Sequence, residues 1–145
     1  ENLTISEMLN ILNKKSGVLG MSGGISSDFR DLNAAANDGN EIAKVTLEAY
    51  AYRVAKYIGA YTAAMGGVDA IVFTAGVGEN QTDLREEACK NLEYLGIKIN
   101  KEVNDKVRGE EAIISTDDSK VKVVVVPTDE EIVIARDTME LVANK

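Results

Sequence analysis

The strongest constraint on the fold lies in residues 41–74. Leu47, Tyr50, Val54, Ile58, Tyr61 and Met65 recur at steps of three or four, while Glu41, Lys44, Glu48 and Lys56 lie on the opposite side. This pattern predicts one helix over residues 41–65, stopped by Gly66-Gly67. At 1.5 Å per residue it spans ~37 Å, long for one domain, and its many alanines point to close packing on both sides. The run "DAIVFT" follows almost at once. Short, apolar and β-branched, it has the signature of a strand buried on both faces, as in a parallel sheet covered by helices.

The rest of the chain repeats the alternation. "ISEMLNILNKK" predicts a short helix with Ile5, Met8, Leu9 and Leu12 on one face, and "SGVLGMSGGISSDFRD" reads as a loop. Ser27 is the expected cap of a helix through Ala36. A helix is predicted over 81–95, with Leu84, Ala88, Leu92 and Leu95 inward and Gly96 as its stop. "GIKI", "EAIIS" and "VKVVVV" read as strands, and "NKEVNDKVRG" as a short polar helix or turn. A last helix over 129–142 uses Ile132, Ala135, Met139 and Val142. Strands alternating with helices, without repeat or linker, predict one α/β layered domain over residues 1–145.

Charge and composition exclude several functions. The net charge is −8, and no basic patch exists beyond Lys14-Lys15, which excludes nucleic-acid binding through phosphate neutralisation. Cys89 stands alone, so an internal disulfide and a cysteine zinc site are both excluded, and a reducing cytoplasmic compartment fits. No apolar run approaches the ~18 residues of a membrane span, and nothing resembles a signal peptide. Histidine is absent, so this chain alone cannot do imidazole chemistry. The first residue is Glu rather than Met, which fits a processed or truncated piece.

Three stretches have the residue types for a site. "FTAGVGEN" leaves the predicted strand through small residues, with Asn80 placed to cap the next helix. Free N–H groups at the carboxyl edge of a sheet strand form a ligand-prone place in open α/β sheets. The third glycine of a dinucleotide fingerprint and the Gly-Lys-Ser/Thr of a Walker loop are both missing. A plain tight turn, with glycine supplying positive φ, accounts for the stretch equally well. In "VVVVPTDEE", Thr128 and Glu131 have capping-box spacing, which leaves Glu130 as a magnesium contact or as a complement to the helix dipole. In "SGGISSDFR", Arg30 offers a planar fork to a phosphate or carboxylate, and Phe29 a face to a flat ring. The bland alternative is a solvated loop. Tyr50, Tyr57 and Tyr61 read as core-edge residues, Cys89 as core, and Glu86-Glu87 and Asp117-Asp118 as solvated faces.

"SSDFRDL", "YAYRVAKYIGAYTAAMGGVDAIVFTAGVGEN", "VRGEEAIIS" and "VPTDEEIVIARDT" together closely resemble the carboxyl-terminal half of the acetate kinase family, over essentially the whole chain. The resemblance implies a ribonuclease-H-like, actin-like ATPase domain with a mixed sheet flanked by helices. It implies reversible transfer of the ATP γ-phosphoryl group to acetate, giving acetyl phosphate and ADP, with Mg2+. It implies that Asp28, Phe29, Arg30, Gly76, Val77, Gly78, Glu79 and Asn80 contact ATP, chiefly its adenosine end, that Glu130 contacts magnesium, and that the protein is a homodimer. Two positions depart from the family pattern: Val77, where Ile is frequent, and Asp129, where Asn is common. The family's acetate pocket, catalytic Asp, and reactive His and Arg lie upstream of the region matched here. The expectation is therefore an enzyme part that is inactive alone, with propionate or butyrate as competing acceptors. A stand-alone nucleotide-binding or dimerisation module is the other reading.

Overall fold

The computed structural model describes residues 2–143. In chain order the elements are α1 (Ile5–Lys14), α2 (Gly17–Met21), α3 (Phe29–Asn37), α4 (Glu41–Met65), β1 (Ala70–Phe73), α5 (Ala75–Asn80), α6 (Thr82–Lys90), a 3-10 turn (Glu93–Leu95), α7 (Lys101–Asn104), β2 (Ala112–Ile113), β3 (Lys122–Val125) and α8 (Glu130–Ala143). The α/β alternation is as predicted.

The long helix has the predicted bounds. Asn40 caps it by accepting from the Ala43 N–H, and Gly66 ends it in the left-handed region at φ 74°. Its buried seam consists of small residues: Ala43, Thr46, Ala51, Ala55 and Thr62. Short side chains there let α3 and α6 approach closely. Tyr57 and Tyr61, expected at the core edge, instead stack on each other in solvent with centroids 6.3 Å apart.

β3 sits between β1, which it pairs in parallel, and β2, which it pairs antiparallel. The sheet is mixed. Ile71, Phe73, Val123 and Val125 point into one core with Ala55 of α4, Ala88 and Cys89 of α6, and Leu92. β1 is buried on this face alone: Ala70 and Val72 are exposed, against the expectation of burial on both faces. The reason is that α4 and α6 lie on the same side of the sheet. Cys89 is in the core as expected, and burial pushes its thiol up to about 12.

Several local expectations change. α3 is capped by Asp28, which accepts from the Arg30 N–H, and not by Ser27. The 16–27 loop holds the short α2. The helix predicted over 81–95 ends at Lys90, and the chain re-forms as a 3-10 turn that lets Leu92 into the core. "GIKI" makes only an isolated bridge, Ile99 to Ser115. α1 carries the full capping box of Thr4 and Glu7, yet neither it nor α8 buries a residue against this chain. The apolar face predicted for the last helix therefore stands exposed.

Candidate functional site

Parallel pairing sets the site's position. Phe73 and Val125 are register partners at the carboxyl ends of β1 and β3, and Val126 N–H donates to Phe73 O at 3.0 Å. The two chain exits, "TAGVGEN" and "PTDEE", thus leave the same sheet edge side by side.

At the first exit the backbone turns through Ala75, a non-glycine residue at φ 58°, and at once forms α5. Neither Gly76 nor Gly78 has a positive φ, so the predicted glycine turn is not the reason for them. Gly78 is small because α5 lies on the end of β1: a Cβ there would meet the Phe73 carbonyl carbon at 3.2 Å. A Cβ at Gly76 would meet nothing within 4 Å. Asn80 does not cap α6. Its amide donates to Gly76 O at 2.9 Å and braces α5 instead.

In front of this corner is an open cleft of about 850 Å³. Asp28, Phe29, Arg30 and Asn33 from α3 line one wall, and Gly76, Val77, Asn80 and Gln81 line the other. Six of the predicted ligand residues, from two stretches far apart in sequence, therefore meet at one place. Asn33 Nδ2 to Gln81 Oε1, at 2.6 Å, ties the walls together. Phe29 is mostly buried and packs edge-on against Tyr50 at 4.7 Å, so its ring face is not the open platform expected. Arg30 grips Asp28 through Nη2–Oδ2 at 2.6 Å and Nε–Oδ1 at 3.1 Å.

Those bonds, then the Arg30 N–H, hold the Asp28 carboxyl down to about 2. Because the folded value is depressed, any stability from this pair is present above the ordinary Asp value and lost as pH falls through about 2. A carboxyl-carbon NMR titration is expected to give Asp28 a midpoint of about 2. Arg30→Gln keeps the N–H bond and is expected to move the midpoint up toward, without reaching, the ordinary value of ~3.9. A wild-type midpoint at the ordinary value would show that the pair does not form in solution.

Arg108 completes the cleft and was not anticipated. Its guanidinium donates to Asp105 O at 2.6 Å and reaches Thr82 Oγ1 at 3.5 Å, and it joins no ion pair among the described residues. Asp28 and Asp83 face Arg30 and Arg108 in the lining. These four charges cancel in the lining, and Arg85 lies fully buried behind it. Arg85 donates to Asn104 Oδ1, Asn104 O, Val107 O, Gly78 O and Glu79 O at 2.8–3.1 Å, and to no carboxylate. Within "TDLREEACK" it looks like one more surface charge, and no local pattern marks it.

The second exit also differs from expectation. The Thr128–Glu131 capping box does not form. Asp129 Oδ1 accepts from the Ile132 N–H at 3.0 Å and caps α8. Thr128 is used elsewhere: its N–H and its hydroxyl both donate to Glu79 Oε1, at 2.9 and 3.0 Å. Glu79 is buried, and neither it nor Gly78 lines the cleft. Glu130 stands exposed in the first turn of α8, on the second exit, and does not line the cleft. No group of three or more His, Cys, Asp or Glu among the described residues could hold a metal ion. The donor set suits magnesium carried on phosphates, which takes only one or two protein carboxylates, and not a self-contained metal cage.

The Acetokinase family model matches residues 1–136. The acetate kinase of Agathobacter rectalis is 63% identical over 142 residues, covering 98% of this chain and 36% of that protein. The acetate kinase of Thermotoga maritima is 62% identical over 143 residues, with the same coverage. The crystal structure of Porphyromonas gingivalis acetate kinase superposes with a TM-score of 0.88 at 52% identity, over 97% of this chain and 35% of that one. A propionate kinase from Francisella tularensis gives 0.81 at 34%, over 92% of this chain and 33% of that one. The chain spans about a third of the length of the relatives it matches. Its α/β fold, a small mixed sheet flanked by helices, is the actin-like ATPase fold of these neighbours.

Proposed function

The chain belongs to the acetokinase family, and from that premise we propose that it supplies the carboxyl-terminal, nucleotide-binding half of a cytoplasmic acetate kinase. The reaction is reversible transfer of the ATP γ-phosphoryl group to acetate. One observation carries this reading: Asp28–Arg30 and the Gly76–Asn80 corner form a single cleft beside the exit that bears Glu130. Asp28, Phe29, Arg30, Gly76, Val77 and Asn80 line the adenosine site. Gly78 sets the close approach of this corner to β1, while Glu79 lies outside the lining with its carboxylate turned to Thr128. Arg30 and Arg108 balance the two carboxylates of the lining, Asp28 and Asp83. Glu130 holds Mg2+, which when bound offsets charge on the phosphate oxygens. Asp129, busy as the α8 cap, stays out of the metal shell. With two such corners the chain binds and orients the nucleotide. The acceptor and the groups around the transferred phosphoryl come from outside these 145 residues, and the exposed apolar faces are available for that part and for a second copy.

Calorimetric titration with ATP and Mg2+ tests this reading. The wild-type chain is expected to bind, with Asn80→Ala about tenfold weaker because Gly76 O loses its brace. A coupled assay on the chain alone is expected to show no turnover. No ATP binding at millimolar concentration would overturn the nucleotide site. Turnover at a near-normal rate would overturn the division of labour.

A further inference from the structure

We propose that Glu79 is a positioning residue whose carboxylate locks the Glu130 corner to the nucleotide corner, so that ATP and its metal ion bind as a coupled pair. The inference rests on the nucleotide-site reading above and gives Glu79 a task within it.

The geometry is unusually complete for one side chain. A single oxygen, Oε1, takes both donors of Thr128, 49 residues away. The main-chain carbonyl of Glu79 is held from the other side by Arg85 Nη1 at 2.8 Å, with Gly109 N–H at 3.4 Å. Clamped at both ends and buried, Glu79 cannot swing toward the cleft.

Thr128 needs such a partner. The backbone ladder between β1 and β3 ends with Val126 N–H on Phe73 O. Pro127 has no N–H. The next donor along the chain is the Thr128 N–H, already beyond the strand. Glu79 supplies the acceptor that the strand no longer can, and so extends the pairing of the two exits through a side chain.

Little else fixes the second corner. α8 buries no residue against this chain, so packing does not set the direction in which Glu130 points. Among the described residues, Val126 on Phe73 and Thr128 on Glu79 are the hydrogen bonds that tie this exit to the first, beside the partial burial of Val126 and Pro127. If the tether is cut, the adenosine wall keeps its shape, braced by Asn80 and Arg85, while Glu130 loses its fixed distance from the phosphates.

The test uses Glu79→Ala, Glu79→Gln and Thr128→Val in the same chain. ATP affinity is measured in EDTA and again in saturating Mg2+, and amide hydrogen exchange is followed at Thr128. Glu79→Ala is expected to leave affinity in EDTA within about twofold of wild type and to lose about tenfold of the gain produced by Mg2+, a coupling of ordinary size. The Thr128 amide is expected to exchange much faster in that variant. Glu79→Gln keeps an acceptor oxygen and is expected to retain most of the magnesium gain, which a general loss of packing would not allow. Equal weakening of ATP with and without Mg2+ would overturn the proposal, because Glu79 would then touch the nucleotide itself. An unchanged gain together with unchanged Thr128 exchange would also overturn it. Should Glu79→Ala fail to fold, Thr128→Val removes the hydroxyl bond and keeps the N–H bond, so it is expected to lose about threefold of the gain and to exchange faster at the position 128 amide, and a wild-type gain together with wild-type exchange there overturns the proposal. Wild-type titration in EDTA judges the nucleotide site separately from the tether.

Discussion

Arg85→Leu is expected to destabilise the chain by about 4 kcal/mol or more, enough to unfold it at ordinary temperature in many domains of this size. The guanidinium has five N–H donors and makes five hydrogen bonds, all to neutral oxygens. Replacing a buried charge by a hydrophobic residue is often harmless when its partners are replaced as well. That route is closed here. Four of the five acceptors are main-chain carbonyls, of Gly78, Glu79, Asn104 and Val107, which no substitution removes. Each acceptor left buried and unpaired costs about 1–3 kcal/mol, and partial relaxation keeps the total below the sum.

Arg85→Lys is expected to recover little, because one ammonium cannot reach all four carbonyls on two separate segments, residues 78–79 and 104–107. Urea unfolding followed by circular dichroism measures both, with the solvent-facing neighbour substitution Glu87→Ala expected within about 0.5 kcal/mol of wild type. Wild-type stability in Arg85→Leu would show that the segments holding Gly78, Asn104 and Val107 stay together without it.

Arg85 also marks the limit of what the sequence discloses. The long helix over 41–65 and its glycine stop follow from periodicity and stop signals within a few residues, and they were legible, whereas its Asn40 cap was not read from the sequence. So were the two candidate-site stretches, because short motifs carry them. Their meeting in one cleft was not legible from composition. It follows from β1 and β3 being parallel neighbours, a choice of topology that no local pattern encodes. The same holds for Thr128. Its spacing to Glu131 satisfies a capping box, yet a carboxylate 49 residues away takes both of its donors and Asp129 caps in its place. Local rules name what a side chain can do, and tertiary contacts decide among the options. β1 was misjudged for a related reason. An apolar run does not say whether helices cover one face of a sheet or both.

Gly76→Val and Gly78→Val are expected to fail in opposite ways, and the contrast separates a ligand's demand for space from the fold's. Both residues lie in α5, where valine has a better helix propensity than glycine, so backbone preference does not penalise either change. At Gly78 a Cβ would stand 3.2 Å from the Phe73 carbonyl carbon and 3.4 Å from its Cα. That is strand backbone, which cannot step aside, and overpacking of this kind costs about 1–3 kcal/mol. Gly78→Val should therefore melt early, with the loss visible before any nucleotide is added. At Gly76 nothing stands within 4 Å and φ is ordinary, so no part of the protein requires glycine there. The position borders the cleft. Gly76→Val should melt like wild type and lose ATP by about 100-fold, or roughly 2.7 kcal/mol, because its branched side chain fills the space in which the ligand approaches the backbone. Thermal melts with calorimetric titration of the two variants read both effects. Wild-type affinity in a well-folded Gly76→Val would mean that the open space at α5 serves no ligand, and the nucleotide site would have to be sought elsewhere on the molecule.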